Sequence, residues 1–141
     1  MINVAFYTGP GRIIDKLIRW WTNSEYSHCE ILFSNGEMFS ADAWSNSTRF
    51  TSQFNQDHWE FIELRAGELV EASLYSWCLD RAGKKYDWLG VIGFVLPQIK
   101  QNKKRWFCSE ICGAGLKYIG KIPVGTKTSK LSPQDLYDLL A

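Results

Sequence analysis

The chain has 141 residues, of which 45% are hydrophobic and 22% charged, and its formal net charge is +1. That length is one domain's worth and can bury one sizeable core. The near-neutral balance excludes a global field that would recruit nucleic acid or anionic lipid.

The first apolar run, Ile2 to Tyr7, stops at Thr8-Gly9-Pro10-Gly11 and reads as a strand closed by a turn. The same opening has no basic leader or small-residue cleavage site, so the expected product is cytoplasmic as synthesised. From Arg12 to Trp21, Ile13, Ile14, Leu17, Ile18 and Trp21 recur at helical spacing, with Arg12, Lys16 and Arg19 elsewhere. This predicts a short amphipathic helix whose apolar stripe joins the core rather than a membrane.

Two strands, Ser27 to Phe33 and Glu37 to Ala43, are expected to join through Ser34-Asn35-Gly36, with Gly36 left-handed in a three-residue hairpin loop. Arg49 to Ser52 suggests a further short strand, and Trp59 to Leu64 another in the same sheet. Asn46-Ser47-Thr48 matches a glycosylation sequon, which carries no meaning without secretion. Glu68 to Arg81 is predicted as a helix with Val70, Leu74, Trp77 and Cys78 on its apolar face, stopped by Gly83.

Tyr86 to Leu96 is expected to be a buried helix broken by Pro97. Its apolar part, Leu89 to Leu96, falls far short of the about 20 residues that span a bilayer, so no integral membrane segment is expected. The basic run Lys100, Lys103, Lys104 and Arg105 reads as a solvated loop, with an anionic substrate group as the alternative. Trp106 to Ile119 is predicted as a helix ended by Gly120, and Ser132-Pro133-Gln134-Asp135 caps a last one. Strands early and helices late imply an α+β domain, a small antiparallel sheet packed against helices. Seven Trp, six Tyr and eight Phe leave some aromatics for a groove or partner surface.

Four cysteines without a leader read as reduced thiols. Cys108 falls at the start of a predicted helix, where the positive helix end favours thiolate and unpaired N–H groups can receive an oxyanion. A buried structural thiol is the competing reading of Cys108, and the better one for Cys112 and Cys78. Cys108 and Cys112 stand at i and i+4, but no further metal ligands with suitable spacing accompany them.

His28 heads an apolar strand, where it suits a general base if a thiol faces it. Alternation places His28 with Glu30 on one face and Cys29 on the other, against a shared metal ion. His58 lies in the polar stretch Asn55-Gln56-Asp57 and reads as surface loop. A third group should orient the imidazole. With a three-residue loop, Asp42 lies opposite His28 and Ser40 opposite Glu30; a two-residue loop would move Asp42 and Ser40 to the other face. Asp42 is the stronger electrostatic partner, Ser40 can only hydrogen-bond, and Glu30 is a same-strand alternative.

Ser27-His28-Cys29-Glu30-Ile31, Gly83-Lys84-Lys85-Tyr86-Asp87-Trp88-Leu89-Gly90 and Phe107-Cys108-Ser109-Glu110 together resemble the circularly permuted NlpC/P60 superfamily of papain-like thiol enzymes, of bacterial and phage type. In that superfamily the histidine strand precedes the cysteine helix. The resemblance implies Cys108 as nucleophile, His28 as base, and a polar third residue near Ser40, where many relatives carry histidine or an acid. It also makes Tyr86 the counterpart of a tyrosine that lines the active site and assists the oxyanion; a core aromatic is the other reading.

No cofactor or metal is implied. The expected function is a thiol hydrolase taking a peptide or acyl substrate in a groove, with peptidoglycan peptide favoured and delivery to the wall by another route. The alternatives are a cytoplasmic acyltransferase or thioesterase, and a catalytically silent binding module.

Overall fold

The first strand, β1 (Ile2–Tyr7), is followed by helix α1 (Ile13–Thr22) in the computed structural model, which describes residues 1–11, 13–43, 45–86 and 105–141. Next comes the hairpin of β2 (Cys29–Leu32) and β3 (Met38–Asp42). Gly36 takes φ 86°, and its N–H bonds Phe33 O at 3.0 Å, while Phe33 N–H bonds Glu37 O at 2.9 Å. The loop is therefore the three residues Ser34-Asn35-Gly36, and this sets the register Ile31↔Phe39 and Leu32↔Met38.

The chain continues with β4 (Ser47–Thr51), a 3₁₀ turn (Gln56–His58), β5 (Trp59–Leu64) and α2 (Glu68–Leu79). Two-residue strands β6 (Lys85–Tyr86) and β7 (Arg105–Trp106) precede α3 (Cys108–Tyr118) and α4 (Pro133–Leu140). The sheet order is β5-β1-β2-β3-β4-β6-β7. Every neighbouring pair is antiparallel except β6 with β7. The class is α+β.

Helix α3 packs on β2, β3 and α2. Gly115 permits that approach, since a Cβ there would lie 3.0 Å from Leu74 Cδ1 and 3.3 Å from Ile31 Cδ1. Phe6, Ile31, Phe39, Leu74, Ile111 and Leu116 are fully buried between sheet and helices, each worth about 1.5–3 kcal/mol of apolar burial. At the C-terminal side, Ser132 and Asp135 form a reciprocal capping box that starts α4. Tyr137 of α4 and Tyr26 both donate to Glu60, at 2.7 and 2.6 Å, which anchors the segment leading into β2.

Several expectations need correction. Two residues of the apolar stripe of α1 are not core: Ile13 is 78% exposed and Leu17 50%. Ile18 of the same stripe is half-buried and lines a cleft with Asp15, and Arg19 Nη2 donates to Gly9 O at 2.6 Å. On α2, Val70 is exposed although Leu74 and Cys78 are buried.

Tyr86 belongs to a strand rather than the start of a helix, because β6 pairs Ser47↔Lys85 with β4 and Tyr86↔Trp106 with β7. The remainder of the helix predicted to Leu96, Pro97, and Lys100, Lys103 and Lys104 of the basic run lie outside the described residues. Trp106 is likewise a strand residue, so α3 begins only at Cys108, with Phe107 as its N-cap. No helix among the described residues is long and apolar enough to cross a membrane.

Candidate active site

Helix α3 opens on Cys108 because Phe107 is still extended, at φ −115° and ψ 167°. The first rung of the helix joins Ile111 N–H to Phe107 O at 3.1 Å. The Cys108 N–H therefore lies ahead of the intrahelical ladder, at the positive end of the helix. His28 immediately precedes β2, and its backbone carbonyl is held by Tyr7 N–H at 2.9 Å. Packing α3 across β2 brings the two side chains near enough for each to shift the other's proton affinity.

The other side of the imidazole is held by Glu30, with His28 Nε2 2.9 Å from Glu30 Oε1. Glu30 is 2% exposed and also receives both guanidinium ends of Arg49, Nη2 to Oε1 at 2.8 Å and Nη1 to Oε2 at 2.9 Å. A carboxylate so paired is an acceptor only, so His28 Nε2 is the donor and Nδ1 is the nitrogen left for sulfur. The arrangement follows from strand register: Ser40↔Arg49 pairs β3 with β4, and the β2–β3 register puts Glu30 across from Ser40. Glu30, Ser40 and Arg49 thus form one row across three strands.

Each charge is tuned by its neighbours. Burial pushes the Glu30 carboxyl up, but hydrogen bonds from His28 and Arg49, and their charges, outweigh it and hold it down at about 2. Burial opposes an imidazolium at His28, yet the charge and hydrogen bond of Cys108, then those of Glu30, raise it well above its ordinary value. Cys108 is lowered well below the usual thiol range by a hydrogen bond with Cys29, against burial, and by the charge and hydrogen bond of His28. The two shifts run in opposite directions, and both favour a thiolate–imidazolium pair over the neutral one. Cys29 moves the opposite way, raised by burial and its sulfur neighbours, and stays a thiol.

The sequence candidates for the third group are placed elsewhere. Ser40 is fully buried and spends its hydroxyl on Cys29 O, at 2.7 Å. Asp42 accepts from Ser45 N–H at 3.0 Å and lies 3.9 Å from Arg49 Nε, on the far side of the guanidinium from Glu30. The same-strand alternative, Glu30, is the residue on His28. Arg49 was expected only as a strand residue; the missing signal is that a buried glutamate needs a cation, and the residue opposite Ser40 supplies it. His28 and Glu30 share a face as expected, their side chains meeting at 2.9 Å.

A cleft of about 250 Å³ opens over this row, lined by His28, Glu30, Asp42, Arg49, Trp59 and Tyr86 among others. Trp59 forms a wall, its ring 6.0 Å from that of His28 and 5.1 Å from Tyr7. Tyr86 is buried, and burial first, then the charges of Cys108 and Asp42, raise its phenol well above the ordinary value, so it remains an O–H donor. His58 sits in the 3₁₀ turn with its ring 6.1 Å from Tyr7, away from the sulfur pair. Among the described residues no group of three or more His, Cys, Asp or Glu is placed to hold a metal ion.

No protein-family profile matches the chain, and no curated protein matches it in sequence.

Proposed function

We propose that the chain is a cysteine hydrolase of permuted papain-like organisation, with Cys108 as nucleophile, His28 as base and Glu30 as the group that orients the imidazole. The observation that carries this reading is Cys108 at a helix start beside His28, whose ring Glu30 holds at 2.9 Å. The Cys108 thiolate attacks a carbonyl carbon, and the resulting oxyanion is received by the Cys108 N–H and the Tyr86 hydroxyl. His28 protonates the leaving group as the tetrahedral intermediate collapses to a thioester. Neutral His28 then draws a proton from water, which releases the acid and restores the thiolate.

The charged cleft lining, Asp15, Asp42 and Arg49, supports a peptide amide as substrate, with peptidoglycan peptide the favoured class. A second reading, acyl transfer or thioester hydrolysis on lipid, draws on the exposed Ile13 and Leu17 of α1, whose Asp15 and Ile18 line the same cleft.

At about pH 6 an ordinary thiol is almost wholly protonated. Alkylation of the native protein there should show one fast cysteine, lost in Cys108→Ala and slowed in His28→Ala. Uniformly slow thiols would instead indicate a silent binding module. Release of peptide fragments from purified wall, against hydrolysis of short acyl esters, separates the two enzymatic readings.

A further inference from the structure

Helix α1 carries an apolar ridge that the mechanism above does not use. Ile13 is 78% exposed, Trp20 73% and Leu17 50%, with Lys16 exposed among them. At 3.6 residues per turn, Ile13, Leu17 and Trp20 fall within about 60° of one another, and Lys16 flanks them. Asp15 lies on the opposite side, where it lines the cleft together with Ile18. Arg19 is also turned away from the ridge, its Nη2 donating to Gly9 O at 2.6 Å and reaching Tyr7 O at 3.4 Å. Among the described side chains of α1, the outward face therefore holds three large apolar groups and one cation, while its acid points elsewhere.

We propose that α1 is a membrane-docking helix, which seats Ile13, Leu17 and Trp20 in the interface of a lipid bilayer and brings the mouth of the cleft to that surface. Two observations choose lipid over a protein partner. The first is area. The helix has 10 residues, so it is about 15 Å long and about 10 Å across, and one face offers only about 150 Å². A stable protein interface needs about 800 Å² on each partner. A bilayer needs no complementary shape, and the apolar face of such a helix sinks about 5–10 Å into the boundary between headgroups and acyl chains. The second is composition. Tryptophan settles at headgroup level, with its ring in the apolar layer and its N–H toward water. Lys16 lays its stem along the apolar side and extends its ammonium to the phosphates. The net charge of +1 supplies no long-range attraction, so apolar insertion holds the helix and anionic lipid adds a modest gain. Docking involves no covalent chemistry and stands apart from the role assigned to Cys108.

The test mixes the full chain with extruded vesicles of phosphatidylcholine, alone or with phosphatidylglycerol, and measures the bound fraction by flotation. The expected result is binding to both, about fivefold tighter with the anionic lipid, which is the gain from one lysine near the surface. Ile13→Gln and Leu17→Gln alter exposed positions, so each should keep the circular dichroism and melting temperature of the wild type. Each should bind vesicles about tenfold more weakly. Leu69→Gln, at a position 87% exposed on α2, should bind like the wild type. Lipid brominated near the headgroup should quench tryptophan fluorescence, and Trp20→Phe should lose most of that quenching. No flotation with either vesicle, undiminished binding of the double variant Ile13→Gln/Leu17→Gln, or quenching that survives Trp20→Phe overturns the proposal. So does a dimer in sedimentation that Leu17→Gln dissolves, which would give the ridge to a second copy of the chain. Cys108→Ser should float like the wild type, so an inert thiol leaves the docking result intact. A chain that alkylates rapidly at Cys108 but does not float defeats the docking alone.

Discussion

Glu30→Gln keeps the shape of the side chain and one acceptor oxygen while removing the charge that His28 and Arg49 share. Glu30 accepts three hydrogen bonds of 2.8–2.9 Å and is 2% exposed, so solvent screens none of them effectively. With glutamine, one amide NH₂ faces an Arg49 donor, and the guanidinium retains only Asp42 at 3.9 Å. Removing one partner of a buried ion pair costs about 3–5 kcal/mol. Arg49 is 26% exposed and can recover some hydration, which places the loss near the lower end, about 3 kcal/mol.

Proton linkage gives the same size independently. Glu30 falls from 4.5 to about 2 on folding, and at about 1.4 kcal/mol per pH unit that is worth about 3 kcal/mol. The folded value is depressed, so this stability is fully present above pH 4.5 and is lost as pH falls through about 2. Urea denaturation of both proteins across that window is the assay. The variant should be about 3 kcal/mol less stable at neutral pH, and the difference should shrink steadily as acid protonates wild-type Glu30. A difference below about 1 kcal/mol, or one that persists unchanged in acid, would refute the claim that the ionised carboxylate holds this row. The same variant should slow Cys108 alkylation at about pH 6, because His28 loses one of the charges that keep it protonated.

Tyr86→Phe should lower kcat/KM by about 10–100-fold through loss of one hydrogen bond to a charged oxygen. Cys108 alkylation at about pH 6 should not change, since the phenol acts after attack. Gly36→Ala should cost about 1 kcal/mol in thermal or urea unfolding, because φ 86° is strained for alanine while no atom lies within 4 Å of the added methyl. Ser132→Ala removes half of the capping box on α4 and should cost about 1 kcal/mol by the same measurement.

Local chemistry made much of the fold legible. The three-residue loop ending in Gly36 determined the β2–β3 register, Ser132-Pro133 marked the start of α4, and the apolar run Ile2–Tyr7 matches β1. What could not be read was non-local. Tyr86 and Trp106 look helical beside their sequence neighbours, but their state is decided by β4, whose Ser47 pairs Lys85 from 38 positions away. The stripe on α1 was expected in the core, yet its Ile13 and Leu17 are exposed. Periodicity says which residues share a face, and only the contact of Arg19 with Gly9 O says which face turns inward. In the site, Cys108 and His28 announced themselves by residue type and position. Glu30 was legible as a same-strand alternative, and only Arg49 required the register of a third strand.

That register explains why the orienting group is a glutamate clamped by arginine rather than a lone carboxylate. A carboxyl buried beside His28 without a cation would have its proton affinity raised by desolvation, and once neutral it would no longer favour an imidazolium. Arg49 prevents this by occupying both oxygens, and Asp42 steadies the guanidinium from its other side. Read across the sheet, acidic and basic groups alternate: Cys108, His28, Glu30, Arg49 and Asp42. Each buried charge therefore has an opposite neighbour, and His28 can gain or lose its proton without leaving Glu30 unpaired. Asp42 thus acts two positions along the same chain of charges from the imidazole it was expected to touch.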